Sequence, residues 1–402
     1  MRVTVFDGAR LPGAKIIISG GGRCNVTNAV VTERDFWGGR RSIIRRVLRA
    51  MPVAETIAFF EGIGVPLVEE PGGKLFPASN RSRDILDALV KELEHSGASL
   101  DAPNRIVAVS RDSSGFRLES SGGTIEAARV VLATGGLSLP KTGSDGGGYT
   151  IAASLGHTIV PTTPALAPLV LDTSVETFHR RLSGVSLDAT LAIWIDGGIA
   201  ERLEGSLLWT HFGVSGPVVL NASRHWERAR LEGRSVQVTV NFLGGASFDE
   251  AEHWLIALAE GRPTASVQSV LSGSVPASFA AALLEASGLP PDRTLAHLPR
   301  DDRRRLSHAL TAWPLAVAAS RGYNYAEATA GGVPLEEIRA STMESRVCPG
   351  LYLTGEILDV DGRIGGFNFQ WAWSSAKVAA NAIAFPAPDA RARRAASRLD
   401  RR

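Results

Sequence analysis

Hydrophobic and polar positions in the first third of the chain follow both helical and strand spacing. Apolar residues recur every three or four positions over Ser42–Glu61 and Ser82–His95, which predicts two amphipathic helices. Three alternating runs between residues 105 and 127 are separated by Ser-Gly turns, which predicts a β-meander. Val3–Phe6 and Val130–Ala133 are short continuous apolar runs, typical of buried strands. This mixture indicates an α/β domain.

The pattern changes at the proline-rich segment 161–168 and returns near the C-terminus. Residues 170–195 alternate as antiparallel strands do, whereas residues 248–315 mostly follow helical spacing. Leu351–Leu353 is again a buried strand, and a helix is predicted from about Asn368 to Ile383. We therefore expect four segments: a first domain over 1–160 and 336–386, a β-rich insert over 161–335 with a helical subdomain at about 248–315, and a disordered basic tail over 387–402.

Composition and charge narrow the class of protein. The chain has 402 residues, enough for two or three domains, and a net charge of +2, which gives no electrostatic case for nucleic acid or a membrane surface. Arginines of the first predicted helix could form a nucleic-acid patch, but no aromatic residues are interleaved with them, so a solvated helix face is favoured. No apolar run reaches about 18 residues and no leader peptide opens the chain, so we expect neither a membrane span nor export. Two distant cysteines fit a reducing cytoplasm.

The stretch KIIISGGGRCNVTN, which begins at Lys15, is the densest cluster of candidate binding residues. Three glycines at 20–22 follow Ser19 and would let the backbone approach a bound group closely. Arg23 beside them favours a polar or anionic group. The stretch lacks the Gly-Lys-Ser/Thr of a Walker loop and the third glycine of GxGxxG, and a plain glycine-rich turn is the alternative.

Two further positions fit a nucleotide. Asp7 ends an apolar strand, where such a carboxylate accepts hydrogen bonds from ribose hydroxyls. The acid normally lies roughly 20 residues beyond the glycine fingerprint, whereas Asp7 is the seventh residue, so either this is no nucleotide fold or the first strand, loop and helix are missing. The strand at 130–133 runs into Thr134, Gly135 and Gly136, and this order of helix, meander, strand and ATGG is typical of the adenine side of flavoproteins.

The C-terminal segment that begins with the strand Leu351–Leu353 would hold the other end of a cofactor. The strand Leu351–Leu353 runs into Gly355 and Glu356, and a loop with Asp359 and Asp361 follows. Glu356 or Asp359 could bind ribityl hydroxyls; a surface turn or a divalent-metal loop is the alternative, but two carboxylates without further ligands make a metal a poor fit. The helix that starts near 365–366 offers about half a positive charge, which would stabilise a reduced flavin at its N1/C2 edge.

Three residues are candidates for chemistry. His211 could be an acid/base or a substrate ligand, or else a histidine satisfied by the backbone. Cys24 could be redox-active, but packing against a ring is favoured because no resolving cysteine is near in sequence. Asn25 would lie beside the flavin with Cys24.

Five ordered motifs resemble one family. SGGGRCNVTN, ATGGLSLPKTGSDGGGY, EGSLLWTHFGVSGP, TMESRVCPGLYLTGEILDVDG and GGFNFQWAWSSA are similar to segments of the BaiN/RdsA-type NAD(P)/FAD-dependent oxidoreductases, also called aminoacetone oxidase-like. The resemblance covers about residues 1–385 and implies a Rossmann-like FAD-binding domain of the two-dinucleotide-binding-domain type, interrupted by a β-barrel and helical insert. The cofactor-binding positions that follow from the motifs together with the resemblance are Asp7, Lys15, Ser19, Gly20, Gly21, Gly22, Arg23, Val107, Thr134, Gly135, Gly355, Glu356, Asp359, Gly365, Gly366 and Asn368.

The sequence departs from this family at its start, where the family has a strand and a GxGxxG loop. We expect a start codon assigned too late, and the alternative is a truncated paralogue that does not hold FAD. The predicted activity is hydride transfer at flavin N5 to or from a small molecule that would meet the flavin where the first domain faces the insert. The electron donor could be NAD(P)H, but no second GxGxxG is visible for it. This favours either transient binding of NAD(P)H or direct oxidation of an amine or hydroxyl substrate by oxygen. The sequence leaves substrate and oligomeric state open.

Overall fold

The computed structural model describes residues 2–174 and 178–385. The chain divides into two compact units, the first formed by residues 1–162 and 328–402 and the second by residues 163–327. The predicted basic tail, 387–402, lies outside the described residues.

Helices form where the apolar spacing is helical, and they run over α1 Ala14–Gly22, α2 Arg41–Leu48, α3 Val53–Gly62, α4 Ser82–His95, α5 Gly147–Ser154, α6 Phe178–Arg181, α7 Pro217–Leu231, α8 Phe248–Gly261, α9 Val267–Leu271, α10 Ala277–Ala286, α11 Arg300–Thr311 and α12 Phe367–Ala384. The helix predicted over Ser42–Glu61 is two helices, because Pro52 lacks the amide hydrogen and precedes α3 as its N-cap. The predicted helix Ser82–His95 is α4, and the hydroxyl of its first residue, Ser82, donates to the carbonyl of Ile17.

The strands are β1 Thr4–Phe6, β2 Thr27–Asn28, β3 Phe36–Gly38, β4 Leu67–Glu70, β5 Lys74–Pro77, β6 Ser99–Asp101, β7 Ile106–Arg111, β8 Phe116–Ser120, β9 Gly123–Ala127, β10 Val130–Leu132, β11 Val160–Ala165, β12 Leu169–Leu171, β13 Ser186–Ile195, β14 Gly198–Thr210, β15 Gly213–Ser215, β16 Val236–Asn241, β17 Trp313–Leu315, β18 Val317–Ser320, β19 Ala328–Gly332, β20 Ile338–Arg339, β21 Glu344–Ser345, β22 Leu351–Leu353 and β23 Val360–Gly362. The predicted meander is confirmed as the antiparallel sheet β7-β8-β9.

The first unit contains two short parallel strand pairs that position the candidate residues. β1 pairs with β6, and β10 pairs with β22. Among the described strands, β1 and β10 each have a hydrogen-bonded neighbour on one side only, and Val5 and Val131 are 39% and 46% exposed. Apolar side chains of β3 and α12, including Phe36, Phe367 and Trp371, lie in the core of this unit.

The second unit is built on antiparallel strands. In the described residues its sheet has the order β17-β16-β13-β14-β15-β12-β18. Trp209, Phe279 and Leu191 are fully buried in its core, to which helices α7 to α11 contribute. Helices α8–α11 lie within the helical subdomain predicted at about 248–315, whose last residues, 313–315, form strand β17 instead.

Candidate functional site

Lys15 and Glu356, two residues predicted to bind the cofactor, form a salt bridge with each other. Lys15 Nζ donates to Glu356 Oε2 at 2.5 Å and to Ser138 Oγ at 2.6 Å. Glu356 Oε1 accepts from the backbone amide of Thr329 and from Ser138 Oγ, both at 2.8 Å. A Cβ at Gly136 would lie 2.5 Å from Thr329 Oγ1, so glycine is required there. Both carboxylate oxygens of Glu356 are therefore engaged within the protein.

In the glycine-rich stretch the backbone leaves the right-handed helix, and Gly20 and Gly21 near the end of α1 form a left-handed turn. Gly20, Gly21 and Gly22 have φ of 56°, 69° and 84°, a left-handed backbone that favours glycine. A Cβ at Gly20 would lie 2.9 Å from the amide nitrogen of Asn25, whereas one at Gly21 would meet no atom within 4 Å. Gly20 thus allows the chain to fold back closely, and Gly21 and Gly22 present exposed backbone.

Arg23 fixes this stretch to the β4–β5 hairpin. Its Nη1 lies 2.6 Å from Glu70 Oε1, and its guanidinium lies 4.0 Å from the centre of the Phe76 ring. The positive charge of Arg23 is therefore partly neutralised within the protein.

Cys24 is fully buried. Burial raises the pKa of its thiol to about 11, against a smaller lowering by a hydrogen bond with Ser19. The thiolate is the reactive form of cysteine, so at neutral pH this thiol is protonated and inaccessible, which favours a packing role.

Asn25 joins the two predicted flavin-binding segments. With its amide oriented to satisfy its neighbours, Oδ1 accepts from the Gly366 amide at 3.2 Å, and Nδ2 donates to the carbonyls of Thr27 (2.9 Å) and Leu75 (3.2 Å). Gly366 has φ 92°, and a Cβ there would lie 2.5 Å from the Thr27 carbonyl carbon and oxygen. The glycine stretch and the start of α12 are thereby held together.

The N-terminus of α12 is open. Gly366 is its N-cap and no side chain caps it, so the amides of the first turn carry the positive end of an 18-residue helix. Asn368 closes the preceding loop, accepting from Gly362 N at 2.8 Å and donating to Gly362 O at 3.0 Å. Asn28 donates to the Gly365 carbonyl at 3.2 Å. An anionic or carbonyl group could be bound at this end.

Asp7 lies directly after β1 and is half-buried. Its Oδ1 accepts from the Ala9 amide at 2.8 Å, and within the described part of the chain its other oxygen has no hydrogen-bond partner. A free carboxylate oxygen at the carboxyl end of a parallel strand suits a ribose hydroxyl.

Thr134, Gly135 and Val107 are the remaining first-unit candidates from the N-terminal part. Thr134 is exposed after β10, and Gly135, with φ 73°, would place a Cβ 2.5 Å from Ser144 Oγ. Val107 is 59% exposed on β7. Glycine at 135 is thus explained by local packing.

The backbone amide and carbonyl groups of Gly355 and Asp359 are all hydrogen-bonded within the protein. Gly355 N donates to Ser375 Oγ at 3.0 Å, and its carbonyl accepts from Trp371 Nε1 at 3.1 Å. The amide of Asp359 donates to Val333 O, and its carbonyl accepts from Gly39 N, both at 2.8 Å. No cluster of three or more metal-ligating side chains occurs among the described residues.

His211 belongs to the second unit, directly after β14. It is exposed, its ring centre lies 5.1 Å from that of Phe212, and it makes no hydrogen bond within the described residues. The structure therefore does not support the alternative in which backbone groups hydrogen-bond to the ring of His211.

Sequence reasoning missed the polar residues that support this site. Ser138 and Thr329 bind Glu356, and Gln370 accepts from Thr27 Oγ1 at 2.6 Å and from Thr56 Oγ1 at 3.0 Å. Ser138 and Gln370 lie inside two of the five motifs, so those motifs were the available signal. Thr329 carries no sequence signal, because its role depends on a partner 27 positions away.

A second polar group was also missed, and it has the order of an acid–base–nucleophile triad. His157 Nδ1 lies 2.6 Å from Glu337 Oε2, and His157 Nε2 lies 2.8 Å from Ser345 Oγ. Ser345 is fully buried, and its Oγ accepts from the amides of Val347 and Cys348 at 3.0 and 2.7 Å. An inaccessible hydroxyl already bound to two amides is structural.

The open groups of the first unit fit FAD. Asp7 offers an acceptor for ribose hydroxyls, and the α12 N-terminus, held beside the glycine stretch by Asn25, offers a partial positive charge for the flavin. Parallel strand pairs, a left-handed glycine turn and an open helix start are features of Rossmann-type FAD-dependent oxidoreductases, and this chain is one of them.

The chain belongs to the family described as HI0933-like protein Rossmann domain, which matches residues 1–382. It is 32% identical over 372 residues to the 3-dehydro-bile acid delta(4,6)-reductase of Clostridium scindens, covering 92% of this chain and 90% of that protein. It is 34% identical over 375 residues to the ribosomal RNA dihydrouridine synthase of Escherichia coli, covering 93% and 90%. Among solved structures, the open conformation of a flavocytochrome c3 fumarate reductase is 15% identical over 94% of this chain and 72% of that chain, with a TM-score of 0.42.

These comparisons confirm the predicted family, the α/β Rossmann-like class, FAD as cofactor and an oxidoreductase activity. Across the described residues, no helix combines the length and apolar character that crossing a bilayer requires.

Proposed function

We propose that this protein is a reductase that saturates a carbon–carbon double bond conjugated to a carbonyl group in a small molecule, with NAD(P)H as hydride donor to its FAD. The names of both relatives support this class. A 3-dehydro-bile acid with a delta(4) bond is a conjugated ketone, and making dihydrouridine saturates the uracil 5,6 bond beside a carbonyl.

The structural observation that carries the proposal is the hydrogen bond from Gly366 N to Asn25 Oδ1. It holds the exposed glycine backbone beside the open start of α12, so a negatively charged or polar edge of the cofactor would meet amide donors from both segments. Asp7 would hold the ribose, and Gly20–Gly22 and α12 would hold the flavin side. When bound, FAD supplies a two-electron hydride carrier.

The reaction has a hydride step and a proton step. A hydride adds to the carbon β to the carbonyl, the electrons of the double bond move to the carbonyl oxygen, and a proton then adds to the α-carbon. NAD(P)H supplies the next hydride and leaves as NAD(P)⁺, so the overall change is one hydride and one proton gained by the substrate. We assign the proton to His211, whose exposed ring has no hydrogen-bond partner among the described residues. Cys24 is buried and protonated, and it takes a packing role.

A uridine of ribosomal RNA is the second candidate substrate, favoured by the 34% identity with the E. coli enzyme. The net charge of +2 favours the small molecule, since RNA binding relies on neutralising phosphates. The predictions of no nucleic-acid partner and a cytoplasmic location stay predictions.

The test is anaerobic reduction of the full chain after titration with FAD. We expect a flavin spectrum, bleaching by NADH or NADPH, and colour recovery on adding a 3-oxo-delta(4) steroid but not ribosomal RNA. If ribosomal RNA restores the flavin colour, and mass spectrometry shows two hydrogens gained per uridine, uridine of ribosomal RNA is the substrate instead. Recovery only with oxygen would favour the oxidase alternative, and failure to take up FAD would overturn the proposal.

The role of His211 needs a matched pair of variants. His211→Gln should slow the substrate half-reaction about 100-fold, the usual size of a general-acid contribution, and leave bleaching by NAD(P)H unchanged. His95→Gln, an exposed histidine at the end of α4, is the control. Equal rates in both variants would remove His211 from the reaction.

A further inference from the structure

The second unit contains an open cleft of about 1260 Å³ that takes no part in the site above. It lies where β16 stops pairing with β13: the last paired residues are Thr190 and Asn241, and Ser186–Ala189 continue beyond them. The turn at Phe242–Ala246 and the first turns of α8 form other walls. Ligand sites commonly enclose about 300–1,000 Å³, so the cleft is large enough for a small organic molecule.

The charged groups of the cleft are all acidic. Asp188, Glu204 and Glu250 line it, and none of the described lining residues is Lys, Arg or His. Glu250 is bound in a capping box with Ser247, but Asp188 and Glu204 have no partner among the described residues. In the β13–β14 register Thr190 is opposite Glu204 and Asp188 is opposite Ser206. Asp188 and Glu204 are therefore diagonal neighbours, whose backbone positions are typically about 7–8 Å apart, within reach of long side chains. A cation between them would relieve their repulsion.

A largely buried threonine without a hydrogen-bond partner among the described residues also lines the cleft. Thr190 is only 5% exposed and lines the cavity, and within the described chain no group hydrogen-bonds to its Oγ1. The turn comes near it at Gly245, where a Cβ would lie 3.6 Å from Thr190 Oγ1. Thr190 Oγ1 is not among the fully buried polar atoms of the described residues, so a ligand in the cleft could form a hydrogen bond with it.

An aromatic wall defines the rest of the ligand. Trp254 of α8 is half-buried at the cleft, and Phe242 and Val275 add apolar surface. An indole face attracts ammonium and guanidinium groups and stacks on planar rings. The described residues hold no cluster that could ligate a metal ion, so an organic cation fits better than an inorganic one.

We propose that this cleft is a binding site for an organic amine, an ammonium or guanidinium group carried on a planar apolar body. The cation lies between Asp188 and Glu204 and donates a hydrogen bond to Thr190 Oγ1, while the apolar body packs on Trp254. The site is independent of the FAD site and of the activity proposed above.

The test is calorimetric titration of the full chain with tryptamine, against indole-3-propionate as the anion of similar shape. We expect saturable one-to-one binding of tryptamine, and none of the anion. The double variant Asp188→Asn/Glu204→Gln keeps side-chain size and should weaken tryptamine binding at least tenfold, while Thr190→Val should weaken it severalfold. Glu260→Gln, an exposed acid on α8 outside the cleft, is the matched control and should bind like the wild type.

Three results would overturn the site: no tryptamine binding up to millimolar concentration, equal binding of the anion, or equal weakening in Glu260→Gln. Circular dichroism reports whether each variant is folded. If the double variant fails to fold, Thr190→Val and Trp254→Leu give the answer, since unchanged binding in both contradicts the assignment.

Discussion

Lys15 Nζ and Glu356 Oε2 lie 2.5 Å apart, although the two residues are 341 positions apart in sequence. Each resembles a cofactor ligand by its motif, yet in the folded chain each neutralises the other. Ser138 and the Thr329 amide complete the hydrogen bonds of the carboxylate. This salt bridge therefore links α1 to the segment that follows β22. We expect it to act mainly on the stability of the first unit.

Glu356→Gln should destabilise the protein by about 1–3 kcal/mol, because a partly buried lysine loses its counter-charge. A double-mutant cycle with Lys15→Met, read by urea unfolding, should show non-additivity of at least about 0.5 kcal/mol. The more exposed pair Arg105–Asp145 is the comparison, with an expected coupling of about 0–1 kcal/mol. Additive effects of the Lys15 and Glu356 variants would contradict the pairing.

Asp7→Asn should weaken FAD binding about tenfold or more, since a hydrogen bond to a charged group contributes about 1.5–3 kcal/mol. Fluorescence titration of FAD measures it. Asp101→Asn is a close control: Asp101 is opposite Phe6 in the paired strand and already accepts from Asn104 at 2.9 Å. If both variants bind FAD alike, Asp7 has no special role.

Gly366→Ala should cost several times more stability than Gly64→Ala. Both glycines are left-handed, with φ of 92° and 84°, so both variants pay a backbone penalty of about 1–2 kcal/mol. Only at Gly366 would the added Cβ meet backbone, 2.5 Å from the Thr27 carbonyl, whereas Gly64 has no atom within 4 Å. The difference in denaturation midpoint measures the packing of α12 against β2, and equal midpoints would refute it.

The buried thiol of Cys24 should make stability depend on alkaline pH. Burial raises its folded pKa from 9.0 to about 11, so the unfolded thiol ionises first. This contribution to the free energy of unfolding is complete below pH 9 and is lost as pH rises towards 11. Cys24→Ala should flatten that part of the pH profile, measured by urea unfolding, and Cys348→Ala should retain it. An unchanged profile in Cys24→Ala would contradict the burial.

The local sequence predicted helices and strands correctly where a single hydrophobic period continued without interruption. The helix Ser82–His95 and the strand Leu351–Leu353 are confirmed to the residue, because their apolar spacing depends only on near neighbours. The helix over Ser42–Glu61 was wrong at its centre, where Pro52 divides α2 from α3. Trp313 lies inside the range 248–315, which was predicted to be mostly helical, but it belongs to β17, because its pairing with Val240 is a long-range contact.

By itself, the sequence determined the family, the α/β class and the chemical groups available: a carboxylate after a strand, a triple glycine and a helix that starts at a glycine. Only the tertiary structure decided which of these groups are free. Arg23 and Glu356 are engaged by Glu70 and Lys15, whereas Asp7 retains a free oxygen and α12 an open start. The reason is physical: a charge is neutralised by whatever lies within a few ångströms, and folding brings together residues as distant in sequence as Lys15 and Glu356, which are 341 positions apart.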